Sequence, residues 1–280
     1  MKVLPFKIPK PENVTLFIQE DKGKIFYDKL HQHNEIQISV ILKGEGTFII
    51  GDYVGDFKPN DIFIIGENLP HVFKSDTTLT GNVKMLSAFF TKTSFGDHFF
   101  VLPEFRHFKP LFANAKIGFE VISNKIRIIE LFLTLQSKSK FKQFISFLKI
   151  LNIISESNIN TLSSLIKLQK YTENEGKRMS AIFQYSLSNF NNNITLSEIS
   201  SIANMTTNAF CRYFKQRTNK TYFDFLTDIK IGNACRLLSK KNDLSINEVA
   251  YKSGFNNISN FNRKFKALKN RTPSEFRKKL

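Results

Sequence analysis

Residues 210–225, FCRYFKQRTNKTYFDF, lie without a gap on residues 261–276, FNRKFKALKNRTPSEF. At this offset of 51 the pairs Phe210/Phe261, Arg212/Arg263, Phe214/Phe265, Lys215/Lys266, Asn219/Asn270, Thr221/Thr272 and Phe225/Phe276 are identical. Upstream, LSEI at 196–199 answers INEV at 246–249 at an offset of 50. Such a duplication admits few folds, because the chain must build one supersecondary unit twice.

Local signals say which unit. Thr195 with Glu198, and Ser245 with Glu248, are S/T-x-x-E capping boxes that satisfy the unpaired N–H groups of a first helical turn. Thr272-Pro273-Ser274-Glu275 repeats the box with Pro at the first helical position, where its missing N–H costs nothing. Gly254 permits the positive φ of a tight corner, and Asn204 can do the same in copy one. Each copy therefore predicts a helix-turn-helix, over about 195–217 and 245–269.

The second helix of each copy carries the candidate DNA contacts. In copy two, Phe261, Phe265 and Leu268 share the apolar face, and the set offered outward is Ser259, Asn260, Asn262, Arg263 and Lys266. In copy one, Phe210 and Phe214 face inward, and the outward set is Thr207, Asn208, Cys211, Arg212 and Lys215. Early-turn residues would reach base edges, where Arg forks onto guanine and Asn onto adenine. The Lys one turn later would hold phosphate. The plainer alternative is a pair of amphipathic helices with solvated polar faces. Charge weighs against it: residues 176–280 hold 19 Lys and Arg against 6 Asp and Glu, while residues 1–175 hold 22 against 18. The C-terminal part thus carries +13 of the chain's +17, the footprint of a polyanion binder. Between the copies, residues 223–240 predict one helix that would fix the separation of the reading helices. Adjacent major grooves on one face of DNA lie ~34 Å apart, so the expected site on double-stranded DNA is two boxes about one turn apart.

On these residues the chain resembles the AraC/XylS family of bacterial transcription regulators. The resemblance rests on Gly254-Phe255, Ser259, Phe261, Arg263, Phe265-Lys266, Thr272-Pro273 and Phe276-Arg277, and extends through IKIGNACRLL and copy one over roughly 100 residues. Asn270 and Asn219 stand where the family usually has Gly; Asn tolerates the left-handed cap. Cys211 is an unusual base reader.

From Val14 to Thr91 the pattern changes to short alternating segments with Gly, Asp and Pro turns. EIQISVIL places Ile36, Ile38, Val40 and Leu42 on one face of a strand. A small jelly-roll or cupin barrel over about 12–95 is expected, as the resemblance also implies. The fold class is thus α+β, a cupin-like barrel with a helical hairpin followed by an all-α domain. Spacing by two puts His31, His33, Glu35 and Gln37 on one face, with His71 in LPHVF near the barrel mouth. These five residues are the expected site of a small-molecule effector. A metal site with Glu35 or Gln37 as fourth ligand is the sharper alternative, but metal-binding cupins place a Glu near position 37, so no metal or cofactor is expected. No activated nucleophile or acid/base pair points to catalysis, and a metal-dependent cupin enzyme with an accessory basic domain is the lesser reading.

Residues 121–136 and 141–154 predict two helices with more apolar positions than one buried stripe needs: Ile122, Ile126, Ile129 and Leu133 in one, Phe141, Ile145 and Leu148 in the other. They either cover the barrel or, as in relatives, join two copies into a homodimer. Residues 1–168 are then a sensing and dimerisation domain with helices over about 120–168, residues 169–178 a linker, and 179–280 the DNA-binding domain. Two cysteines so far apart predict neither a disulfide framework nor a metal knuckle. With no apolar run of membrane length and no signal-peptide core at the start, a cytoplasmic, nucleoid-associated protein without membrane contact is expected, with RNA polymerase as a further partner.

Overall fold

The computed structural model describes residues 14–76, 81–164, 172–239 and 244–278. The chain divides into two compact units, the first running to Glu173 apart from Val54–Asp56 and the second from Asn174 onward.

The first unit is built on antiparallel strands: β1 (Phe17–Gly23), β2 (Ile36–Lys43), β3 (Gly46–Ile50), β4 (Tyr53–Phe57), β5 (Ile62–Ile65), β6 (His71–Ser75) and β7 (Val83–Phe90). Two short strands, β8 (Phe119–Val121) and β9 (Ile159–Thr161), extend the larger sheet to the order β1-β7-β2-β5-β8-β9, facing a second sheet in the order β4-β3-β6. Residues beyond 95 thus enter the barrel. Three-residue strands are too short for an alternation signal, and only the pairing of β8 with β5 and of β9 with β8 identifies them. Helices α1 (Lys109–Ala115), α2 (Lys125–Leu133) and α3 (Lys140–Ser155) cover the outer face of the larger sheet.

The larger sheet is therefore buried on both sides. Ile36, Ile38 and Val40 of β2 point to the helices, together with Ile62, Ile64, Leu86 and Phe90. The other face of β2, with Ile41, looks into the barrel, where Phe48, Phe57, Phe63 and Phe73 pack together. The alternation of β2 separates two buried environments, not core from water.

The helix expected from Val121 starts at Lys125, because Val121 belongs to β8 and Asn124 is the left-handed N-cap. The face of α2 that enters the core is Ile128 and Phe132. Ile126 and Phe141, from the two lines of surplus apolar positions read in the sequence, are both 73% exposed, so the hairpin does not bury all of its apolar surface against the barrel.

The second unit is helical: α4 (Glu173–Asn189), α5 (Leu196–Ile202), α6 (Thr207–Thr218), α7 (Tyr222–Ser239), α8 (Ile246–Lys252), α9 (Ile258–Lys269) and α10 (Pro273–Lys278). Residues 169–171 of the expected linker lie outside the described residues, while 173–178 form the first turns of α4. Polar character there reflects the solvated side of a helix whose Met179, Ile182 and Phe183 are buried. Among the described residues, no helix is long and apolar enough to cross a membrane.

Candidate nucleic-acid interface and polar core of the barrel

Each helix-turn-helix is closed by its own side chains. Thr195 accepts from the Glu198 N–H and Ser245 from the Glu248 N–H, and in both boxes the Glu side chain returns to the N-cap backbone. The corner residues Asn204 and Gly254 have φ of 52° and 81°. A Cβ added at Gly254 would lie 2.6 Å from the Phe190 carbonyl oxygen and 2.8 Å from Asn191 Cα, so glycine is required by space as well as by φ. Asn219 and Asn270 end α6 and α9 in the left-handed conformation, at φ 54° and 53°.

Phe210 and Phe214 of α6, and Phe261 and Phe265 of α9, are wholly buried. The first pair packs on Phe183, Tyr222 and Phe225; the second packs with Phe255 and Phe276. Leu268 is 44% exposed, against the expectation that it continues the buried stripe. Helical spacing tells which side of a helix is apolar, not how far along its axis neighbours cover it. Asn208, Cys211, Arg212 and Lys215 are exposed on α6, with Thr207 half-buried. Ser259, Asn260, Asn262, Arg263 and Lys266 are all exposed on α9. Arg263 donates to Asn260 Oδ1 at 2.9 Å, which holds the guanidinium along the helix surface. In α6 the residue three before Arg212 is Ala209, which offers no acceptor.

One feature of the duplication escaped the sequence. Arg178 of α4 donates to the Ala203 carbonyl at the end of α5, and Lys230 of α7 donates to the Gly254 carbonyl after α8. Cations at helix C-termini satisfy leftover carbonyls and the negative end of the dipole. The two cations are 52 residues apart, and Met179, Ile182 and Phe183 then fall on Ile231, Ala234 and Cys235, all buried. The repeated unit is three helices, α4-α5-α6 and α7-α8-α9. Its first helix keeps burial but not identity, so a search for matching letters misses it.

In the barrel, His31 and His71 form an antiparallel bridge, with His31 N–H donating to the His71 carbonyl at 3.1 Å and His71 N–H to that of His31 at 2.9 Å. His33 sits in the loop before β2, its carbonyl accepting from Asn68 N–H. The histidines are therefore assembled from a loop and β6, not from one strand face. His33, His71 and Gln37 are buried at 4%, 1% and 4% exposure. Burial lowers the pKa of all three imidazoles, that of His31 to about 4, and the neighbouring histidines add to the effect at His71.

Hydrogen bonding fixes the tautomers. Nδ1 of His31, His33 and His71 lies 2.8, 3.0 and 2.8 Å from the carbonyl oxygens of Lys29, Glu35 and Leu69. A carbonyl only accepts, so Nδ1 carries the proton in each ring and Nε2 of the neutral ring carries a lone pair. One end of the Gln37 carboxamide lies 3.0 Å from His33 Nε2 and 3.1 Å from His71 Nε2. Two bare nitrogens require the amide N–H groups at that end. The oxygen end then accepts from the Ser39 hydroxyl at 2.7 Å, and Ser39 pairs with Ser87 of β7 at 2.9 Å. Glu35 stands apart from the ring centre, its carboxylate 3.7 Å from His33 Nδ1 on the outer edge. Ser39 and Ser87 were not among the expected site residues. Ser39 shares the parity of Gln37, but nothing local marks Ser87.

A second concavity, about 700 Å³, runs along α2 and α3 and is lined by Phe108, Arg127, Leu131, Ile145, Leu148 and Lys149 among others.

Comparison with known proteins covers both units. Residues 13–87 match the family model described as an AraC-like ligand binding domain, and residues 199–279 match a helix-turn-helix domain. Over 269 residues the chain is 25% identical to the uncharacterized HTH-type transcriptional regulator YdeC of Bacillus subtilis, covering 90% of this chain and 87% of that one. It is 32% identical over 94 residues to an HTH-type transcriptional regulator from the cgkA 5' region of Pseudoalteromonas carrageenovora, covering 34% of this chain and 55% of the relative. Among solved structures, the DNA-binding domain of AdpA in complex with a target DNA overlaps 34% of this chain and 86% of that domain, at 23% identity and a TM-score of 0.33. These relatives are regulators, and they lend no support to the enzyme alternative.

Proposed function

The chain belongs to the AraC/XylS family of bacterial transcription regulators, and from that premise we propose that it is a sequence-specific regulator responding to an effector held by its barrel. The single observation that carries the reading is the pair of matched helices α6 and α9. Each is anchored by two fully buried Phe and turns an Arg-, Lys- and Asn-bearing face outward in the part of the chain that holds +13. On DNA each helix would enter a major groove, with Arg212 and Arg263 forking onto guanine and Lys215 and Lys266 on phosphate. Two boxes about one helical turn apart are the expected operator. In the barrel, His31, His33, Gln37 and His71 are the residues an effector would meet; Glu35 lies behind His33.

We further assign the exposed apolar side chains Ile126, Leu133, Phe141 and Ile145 of α2 and α3 to contact with a second copy. Dimeric assembly would let effector binding alter the placement of two DNA-binding units, provided the effector prefers one arrangement. RNA polymerase is a further partner of such a regulator, and the cytoplasm its place of action.

The test is selection from a random DNA library with the full chain, followed by a salt titration on the winning sequence. A consensus of two boxes, bound with a steep loss of affinity as salt rises, is the expected result. Recovery of no consensus would make the protein a sequence-blind binder and end the regulator reading.

A further inference from the structure

The interior of the barrel is largely apolar, and one polar island in it holds three histidines. Phe48, Phe57, Phe63 and Phe73 fill most of it, and the island consists of His31, His33, His71, Gln37, Ser39 and Ser87. We propose that this island binds one divalent transition-metal ion of the zinc, cobalt or nickel kind through Nε2 of His31, His33 and His71, and that this ion is the effector. The site stands on its own geometry; only its role as effector rests on the regulatory reading.

Three features of the island lead there. First, one ring nitrogen from each histidine lies within 4.8 Å of the other two, and since every Nδ1 is engaged by a backbone carbonyl, Nε2 is the nitrogen left to face inward. Ring orientation fixed by Nδ1–H donation to a carbonyl is how metal-ligating histidines are held in general. A tetrahedral ion with N–metal bonds of about 2.0–2.1 Å needs its nitrogens about 3.4 Å apart, so the rings close by at most about 1.4 Å. The ring centroids already stand 4.2, 5.1 and 6.1 Å from one another.

Second, the donors are neutral. Three imidazoles and an amide suit late first-row ions and offer little to Mg²⁺ or Ca²⁺, which take oxygen ligands and carboxylates. Glu35 lies on the Nδ1 edge of His33, its carboxylate 3.7 Å away, and so stays outside the donor set. Third, size favours an ion. A sugar-sized molecule would have to displace the phenylalanine core, whereas an ion needs only the space between three ring nitrogens.

Gln37 links such an ion to the rest of the barrel. Its N–H groups cover the lone pairs of His33 and His71, so the ion's arrival requires the carboxamide to turn over. The amide oxygen then faces the ion as a weak fourth ligand, and the N–H groups face Ser39 and Ser87. The rearranged bonds join β2 to β7, at the centre of the larger sheet.

The test uses the full chain, stripped with a chelator, dialysed and titrated with Co²⁺. Uptake of one equivalent per chain, with the visible band of tetrahedral cobalt and displacement by Zn²⁺, is expected. His31→Gln should weaken uptake by about 100-fold or more, a ligand counting for at least as much as the outer partners of metal sites. Gln37→Glu, which adds a charged ligand, should tighten it by about tenfold or more. Wild type taking up no more Co²⁺ than a folded His31→Gln variant, with Gln37→Glu equally indifferent, overturns the site. DNA binding is then measured with and without Zn²⁺. Sequence-specific binding that ignores a bound ion removes the effector role and leaves the site. Metal uptake by a protein with no preferred DNA sequence leaves the site and removes the regulatory reading alone.

Discussion

The two helix-turn-helix copies share their anchors and differ at their corners and on their reading faces. Both bury two Phe at i and i+4, both end on a left-handed Asn, and both receive a cation from the preceding helix. Yet the corner of copy two presses against the end of α4 with no room for a Cβ, while that of copy one is an exposed Asn. Copy two also ties its Arg to a neighbouring Asn; copy one has Ala209 there and Cys211 in the next turn. What a helix-turn-helix needs to fold is thus repeated, and what it needs to recognise or to dock is free to change.

Breaking the shared part gives the largest effects. Phe214→Ala and Phe265→Ala each remove a wholly buried ring and should each cost about 3–5 kcal/mol, read by urea denaturation of the full chain. A large inequality between them would mean that one copy is merely attached to the other. The corners come next. Gly254→Ala meets both a positive φ and backbone atoms under 3 Å away, and should cost more than the ~1–2 kcal/mol of left-handed backbone alone. Asn204→Ala should stay within that ~1–2 kcal/mol, because only the backbone term applies. Equal losses at the two corners would show that the close packing around Gly254 relaxes.

The reading faces sharpen the comparison further. Arg263→Ala should cost ~1–3 kcal/mol of DNA affinity and relax the base choice at one position, measured by repeating the selection with the variant. Uniform weakening of all sequences would make Arg263 a phosphate clamp. Arg212→Ala, tested the same way, shows whether copy one reads a base or only holds the backbone. The smallest effect is one of pH. Hydrogen bonds from the Ser245 backbone and hydroxyl hold the Glu248 carboxyl below its ordinary 4.5. A depressed value stabilises the fold above about pH 4.5, and the contribution fades as pH falls through the native value. Thermal melting of Glu248→Gln between pH 3 and about 6 should lose this part of the slope.

Much of the helical unit was legible because its signals are local. A capping box spans four residues, a buried pair of Phe spans five, and neither requires knowledge of the rest of the chain. What escaped was α4 as the counterpart of α7, since Met179 and Ile231 share burial but not identity. The barrel was legible as a pattern and misleading in detail. Spacing by two picked out His31, His33 and Gln37, but put Glu35 beside them when its carboxylate lies at the outer edge of His33. It also suggested a one-sided strand at β2, whose two faces are both buried.

The sequence alone determined that one unit is built twice, where its helices start and stop, which rings anchor them, and that the surrounding surface is basic. It determined these things because caps, periodicity and charge act within a few residues. Only the tertiary structure decided which way the Gln37 amide faces and that Ser87 belongs to the same network. Those facts depend on hydrogen bonds between residues as far as 50 positions apart. Such bonds exist only once antiparallel pairing has joined β2 to β7 and the smaller sheet has set β6 against them, taking their polar groups out of water.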